Sequence, residues 1–138
     1  MAELKNIAII GPVYPYKGGI SHYTGLLSRT LSGYAEGKYN ITTISYKMQY
    51  PKIMFRKEQR DYSNKTFEIQ DAEFCINPAN PFNWMKVKSK LKKLKPDLLV
   101  VQWWHPYFAP CYQWILSGLK TKVLFVCHNV LPHERFPM

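Results

Sequence analysis

Three short apolar runs constrain this chain more than any other feature: Ile7-Ala8-Ile9-Ile10, Leu98-Leu99-Val100-Val101 and Val123-Leu124-Phe125-Val126. Each is continuous. A strand with one wet face alternates apolar and polar residues, so an unbroken run reads as a strand covered on both faces. Between the runs the pattern changes to helical spacing, with Ile20, Tyr23, Leu26, Leu27 and Leu31 in one segment and Trp84, Val87, Leu91 and Leu94 in another. Strands separated by helices, with apolar runs of this kind, predict an α/β fold: a mostly parallel sheet with helices on both faces.

Read along the chain, the first strand spans about 6–10 and stops at Gly11-Pro12. A proline-studded loop (Val13-Tyr14-Pro15-Tyr16-Lys17) closes on Gly18-Gly19, and a helix runs from there to about Leu31. A second strand spans 39–46, and a weak third spans 72–76. Residues 47–70, with mixed charge and no clean period, read as a loop with a short helix. Asn80-Pro81 supplies a capping side chain and a proline at the first helical position, opening a helix that ends near Lys95-Pro96. Strands at 98–102 and 122–127 flank an apolar helix expected from Tyr107 to Leu119, closed by Gly118 and Lys120.

A chain of 138 residues with 46% hydrophobic and 15% aromatic residues can bury one core, so residues 1–138 are expected to form one globular domain. No run approaches the ~18 apolar residues that cross a bilayer, and no apolar leader follows Met1. The cysteines Cys75, Cys111 and Cys127 are odd in number and widely spaced, which predicts reduced thiols in a cytoplasmic protein rather than a disulfide framework or zinc site. The formal net charge of +10 calls for an anionic partner. Much of it lies in Lys86, Lys88, Lys90, Lys92, Lys93 and Lys95. These residues fit either the solvated face of a surface helix or a patch for anionic lipid, with Lys88, Lys92 and Lys93 as candidate contacts. No nucleic-acid-binding motif accompanies the charge.

In parallel α/β sheets ligands lie beyond the carboxyl ends of the strands. The unusual residues gather in sequence at those ends: Gly18 and Gly19 after the first strand, Trp103-Trp104-His105 after the fourth, and His128-Asn129 after the fifth. The glycine loop is neither a GxGxxG fingerprint nor a P-loop. It is either a turn that needs positive φ or a helix N-terminus opened to an anion, with Lys17 and Ser21 as neighbouring donors. His128 either hydrogen-bonds the turn or contacts a ligand. The tryptophans either stack on a sugar or pack the core. His133-Glu134 carries no metal spacing.

Ile-Ile-Gly-Pro-x-x-Pro-x-x-Gly-Gly-Ile-x-x-Tyr (9–23), Lys-Pro-Asp-Leu-Leu-Val-Val-Gln (95–102) and Val-Leu-Phe-Val-Cys-His-Asn (123–129) resemble segments of the N-terminal domain of family-4 glycosyltransferases. The resemblance implies a Rossmann-like N-terminal half of a GT-B fold, an acceptor-side domain whose donor-binding partner domain would follow. It further implies a retaining, metal-independent transferase, without a cofactor, that moves a hexose from a nucleotide sugar to a glycan or lipid-linked acceptor. Carried over by position, Gly18 and Gly19 would lie against the donor phosphates. His128 would be the catalytic histidine near the transferred sugar. His105, Trp104 and Tyr23 would border the acceptor. A basic helix on the inner face of the membrane also fits the family.

Neither the acidic E-x7-E motif nor a second Rossmann unit occurs within these residues. The chain is therefore expected to be an incomplete, inactive piece that exposes apolar surface and self-associates through its sheet edge or the tail after His128. Two other functions compete with the transferase: a non-catalytic basic module for anionic membrane or nucleic acid, and a GT-B sugar-nucleotide epimerase.

Overall fold

The computed structural model of the chain describes residues 6–16, 19–34, 39–48, 69 and 72–128. Residues 49–68 and 70–71, most of the expected irregular loop, lie outside the described residues, as do Lys17, Gly18, Asn129 and the His133-Glu134 pair.

The protein is an α/β fold of Rossmann-like design. Five strands form one all-parallel sheet: β1 (Asn6–Ile10), β2 (Asn40–Tyr46), β3 (Glu73–Ile76), β4 (Leu98–Trp103) and β5 (Lys122–Cys127), in the order β3-β2-β1-β4-β5. Among the described residues three α-helices accompany them: α1 (Gly19–Tyr34), α2 (Pro81–Leu94) and α3 (Ala109–Leu116). The central strand β1 pairs on both sides, with Ile10 opposite Ile44 of β2 and opposite Val101 of β4. Ile9, Ile10, Leu99 and Val101 are accordingly sealed from solvent, as their continuous apolar runs demand.

The two faces differ in chemistry. On one, α2 and α3 close an apolar core of Ile44, Tyr46, Val87, Leu91, Phe108, Cys111 and Ile115. A chain of buried tyrosines crosses it. Tyr16 Oη donates to the Tyr46 carbonyl at 2.6 Å, the Tyr46 and Tyr112 hydroxyls pair with each other, and Tyr112 Oη donates to the Gln102 carbonyl at 3.1 Å. On the other face α1 packs with only Leu27 and Leu31 reaching the apolar cluster of Ile7, Ile9 and Val100. Its buried side is small and polar, with Ser21, Thr24 and Ser28 facing in and Ser28 Oγ 2.7 Å from Thr43 Oγ1 of β2. Of the residues whose spacing predicts α1, Tyr23 and Leu26 are exposed. Small side chains let the helix axis approach the sheet closely, and that contact displaces the larger apolar residues to its flanks.

α2 begins as expected. Asn80 Oδ1 accepts from the Phe82 amide at 3.0 Å and Pro81 occupies the first turn. It ends at Lys95, whose φ of 49° is left-handed and whose amide donates to the Leu91 carbonyl at 3.0 Å. The expected Tyr107–Leu119 helix is shorter: a 3-10 turn (Pro106–Phe108) leads into α3, which stops at Leu116 before Gly118 at φ +79°. α1 instead runs past Leu31 through Ser32-Gly33 to Tyr34.

β5 also departs from expectation. Its residues pair with β4 from Leu98↔Lys122 to Trp103↔Cys127, yet Leu124 is 53% and Phe125 45% exposed. An apolar run therefore stands at the sheet edge with both faces partly open, because among the described residues no helix packs closely over it. It is one of the two edges of the sheet, the other being β3; the sequence points to a sheet edge or the tail after His128 for self-association without choosing between the edges.

Candidate functional site

The carboxyl ends of β1, β4 and β5 meet the first turns of α1. β1 ends at Gly11, whose amide donates to the Ile44 carbonyl at 3.1 Å. A side chain at this position would collide with its neighbours: a Cβ would lie 2.5 Å from Gln102 Cγ and 3.0 Å from Thr24 Oγ1. Gly11 thus lets the Gln102 side chain cross over the end of β1 beneath α1.

Gln102 is fully buried, and its Oε1 lies 2.5 Å from His128 Nε2. Among the described residues its Nε2 has no hydrogen-bond partner. With the amide oxygen on the ring, His128 donates from Nε2, and Nδ1 keeps its lone pair for another donor. The backbone amide of His128 donates to the Trp103 carbonyl at 2.9 Å, extending the β4–β5 ladder. Tyr23 of α1 meets the imidazole edge-on, with ring centroids 5.0 Å apart. Desolvation lowers the His128 pKa from its ordinary 6.5, so the ring is neutral at pH 7.

Gly19 is the first residue of α1, one turn before Tyr23. It does not need positive φ, and a Cβ there would touch nothing within 4 Å. No acidic residue occupies the first turn. The positive end of the 16-residue α1 dipole lies one turn before Tyr23, the residue that meets His128. Of the two sequence readings of the glycine pair, the strained turn does not hold at Gly19, and Gly18 lies outside the described residues.

The other expected site residues are dispersed. His105 Nδ1 accepts from the Tyr107 amide at 3.0 Å and caps the 3-10 turn, and burial lowers its pKa. Trp104 belongs to the core on the α2/α3 side, 4.4 Å from Phe108 and 6.1 Å from Tyr46 between ring centroids. Its indole packs apolar surface there, so the core alternative describes it. On α2, Lys88 and Lys92 lie one turn apart and Lys93 lies beside Lys92. Lys88 extends toward Gly118, Lys92 is exposed, and Lys93 lines a cavity with Lys47, Lys86 and Lys90.

Gln102, Gly11 and Thr24 were not anticipated. The available signal was a glutamine ending an otherwise apolar strand, a buried amide that must find a partner. Among the described residues no group of three or more His, Cys, Asp or Glu is placed to hold a metal ion, and no helix is long and apolar enough to cross a membrane. Compared with known proteins, the chain matches no family model and no curated protein sequence.

Proposed function

We propose that this chain is the acceptor-side domain of a retaining GT-B glycosyltransferase that passes a hexose from a nucleotide sugar to a hydroxyl of a glycan or lipid-linked acceptor. One observation carries the reading: a neutral His128, held by buried Gln102, stands against Tyr23, one turn from the amino end of α1. The two parts suit two chemical tasks. Helix amides stabilise negative charge that grows on a leaving diphosphate. A neutral imidazole with one free lone pair accepts a hydrogen bond from a sugar hydroxyl at Nδ1 without adding charge. His105 and Tyr23 would border the acceptor, and the reading requires no metal or cofactor. Most donor contacts would come from a second domain, so the 138-residue chain alone binds donor weakly and turns over none.

Titration of the isotope-labelled chain with UDP and GDP tests this. The expected amide shifts fall at Gly19–Tyr23, Gln102 and His128, and His128→Ala reduces them. Shifts confined to other elements, or steady transfer by the purified chain, would contradict the proposal.

A second reading, a non-catalytic basic module on the inner face of an anionic membrane, draws on a different observation. Phe82 is 76% and Met85 57% exposed on α2, the helix that carries the lysines. Exposed apolar side chains flanked by ammonium groups suit the interface of an anionic bilayer, each lysine adding about 1 kcal/mol. Under this reading Lys88→Glu, Lys92→Glu and Lys93→Glu together abolish co-sedimentation with phosphatidylserine vesicles. Undiminished co-sedimentation rejects it.

A further inference from the structure

A half-open cavity of about 360 Å³ lies between α2 and the ends of β2 and β3, away from His128 and on the side of the sheet opposite α1. Lys47, Lys86, Lys90 and Lys93 line it, together with Cys75 and Ser89. Lys86, Lys90 and Lys93 recur at i, i+4 and i+7 on one flank of α2. Like charges so spaced repel one another.

Among the described residues one carboxylate pairs with this helical trio. Glu73 Oε2 lies 2.8 Å from Lys90 Nζ. Lys86 and Lys93 have no ion-pair partner among the described residues. Cys75 adds no second internal anion, because burial pushes its thiol pKa above the usual value and keeps it protonated.

The framework that holds these groups is rigid. Asn83 Nδ2 donates to the Cys75 carbonyl at 2.7 Å, the Asn77 amide donates to Asn83 Oδ1 at 2.8 Å, and Trp84 Nε1 donates to the Asn77 carbonyl at 3.0 Å. These bonds tie the first turn of α2 to the end of β3. The Lys47 amide donates to the Ile76 carbonyl at 2.9 Å, joining the fourth lysine to the same frame. Fixing the backbone of both elements holds the four lysine Cα positions around one concave space, so an anion that enters has only side-chain rotamers left to order.

We propose that this cavity is a binding site for a phosphate monoester or diphosphate, held by Lys86 and Lys93 with Lys47 and Lys90 at its sides. The inference does not depend on the sugar-transfer reading, which concerns the opposite face. Lys90, already engaged by Glu73, tunes the site: the carboxylate competes with the incoming anion.

Pyrophosphate binding, measured by calorimetry and amide shifts at low salt, tests the proposal. Saturable binding is expected, with shifts at Asn83, Val87 and Ser89. Lys86→Gln with Lys93→Gln weakens it roughly tenfold or more, from two lost ammonium contacts. The equal charge change Lys120→Gln with Lys122→Gln, on the far edge of the sheet, weakens it less than about threefold. Ser89→Phe blocks the cavity without altering charge and also removes binding, whereas Glu73→Gln tightens it. Vesicles containing phosphatidic acid separate the sources. If they compete with pyrophosphate, the ligand is a lipid headgroup; if they do not, it is a soluble phosphate. No saturable binding, or equal losses in the two double variants with Ser89→Phe silent, overturns the proposal.

Discussion

Gly11→Ala is the sharpest single test of how the candidate site is assembled. The added Cβ would stand 2.5 Å from Gln102 Cγ, 3.0 Å from Thr24 Oγ1 and 3.2 Å from Gln102 Cβ. Ordinary carbon contacts are about 3.5–4 Å, so roughly 1 Å of displacement is needed. A flexible tip could yield at little cost, but these are inner atoms of a fully buried side chain whose far end bonds His128. Overpacking of this kind costs about 1–3 kcal/mol, and the upper half of that range applies because both Gln102 and Thr24 are sealed. The expected loss is therefore about 2–3 kcal/mol by urea denaturation.

A double-mutant cycle with Gln102→Ala locates the cause. Removing the amide relieves the clash, so Gly11→Ala should cost at least about 1 kcal/mol less in that background. The imidazole provides an independent readout: once Gln102 is displaced and the site opens to water, the His128 pKa should move back toward 6.5. If Gly11→Ala stays within about 0.5 kcal/mol of the parent, or the two changes are simply additive, Gly11 does not support Gln102 and the account of the site fails.

Other consequences follow from the same structure. Burial holds the folded-state pKa values of His105 and His128 below 6.5, so the unfolded chain binds more protons in that window. Stability is then full above about pH 6.5 and declines as pH falls through it, and His128→Gln should flatten the decline measured by denaturation at pH 7.5 and 5.5. An unchanged slope would remove His128 from the explanation. Lys95 sits at φ 49°, so Lys95→Gly should stabilise the protein by up to about 1 kcal/mol; destabilisation would mean that the cap geometry is wrong. Asn80→Ala, at the other end of α2, should cost about 1 kcal/mol through the lost bond to the Phe82 amide, and a neutral result would deny the cap its role. Burial pushes the Cys111 thiol up to about 12, so it should resist alkylation at pH 8 until the chain unfolds, whereas exposed Cys127 reacts in the native state. Early loss of Cys111 in a mass-resolved labelling course would contradict its burial.

The order of strands and helices was legible in the chain because it depends on local patterning. Continuous β-branched runs, the Asn80-Pro81 start and the glycines bounding α1 and α3 act over a few residues and need no distant partner. The convergence of β1, α1 and β5 at one end of the sheet was legible for the same reason, since parallel topology puts successive carboxyl ends on one edge. Which side chains meet there was not. The helical spacing of α1 predicts the helix but not its inward face; the close contact of Thr24 and Ser28 with the sheet decides that, and it leaves Tyr23 and Leu26 exposed. Trp104 and His105 are adjacent in sequence, yet one packs against Phe108 and the other caps a turn. Gln102 acquires its meaning only when Gly11, ninety-one residues earlier, lies beneath it and His128 is in reach. The sequence by itself determined the secondary elements and the edge of the sheet where they end, because those depend on interactions a few residues long. Only tertiary packing decided the burial of individual side chains, the partner of the buried amide and the gathering of lysines around one cavity, because these depend on contacts between segments far apart in the chain.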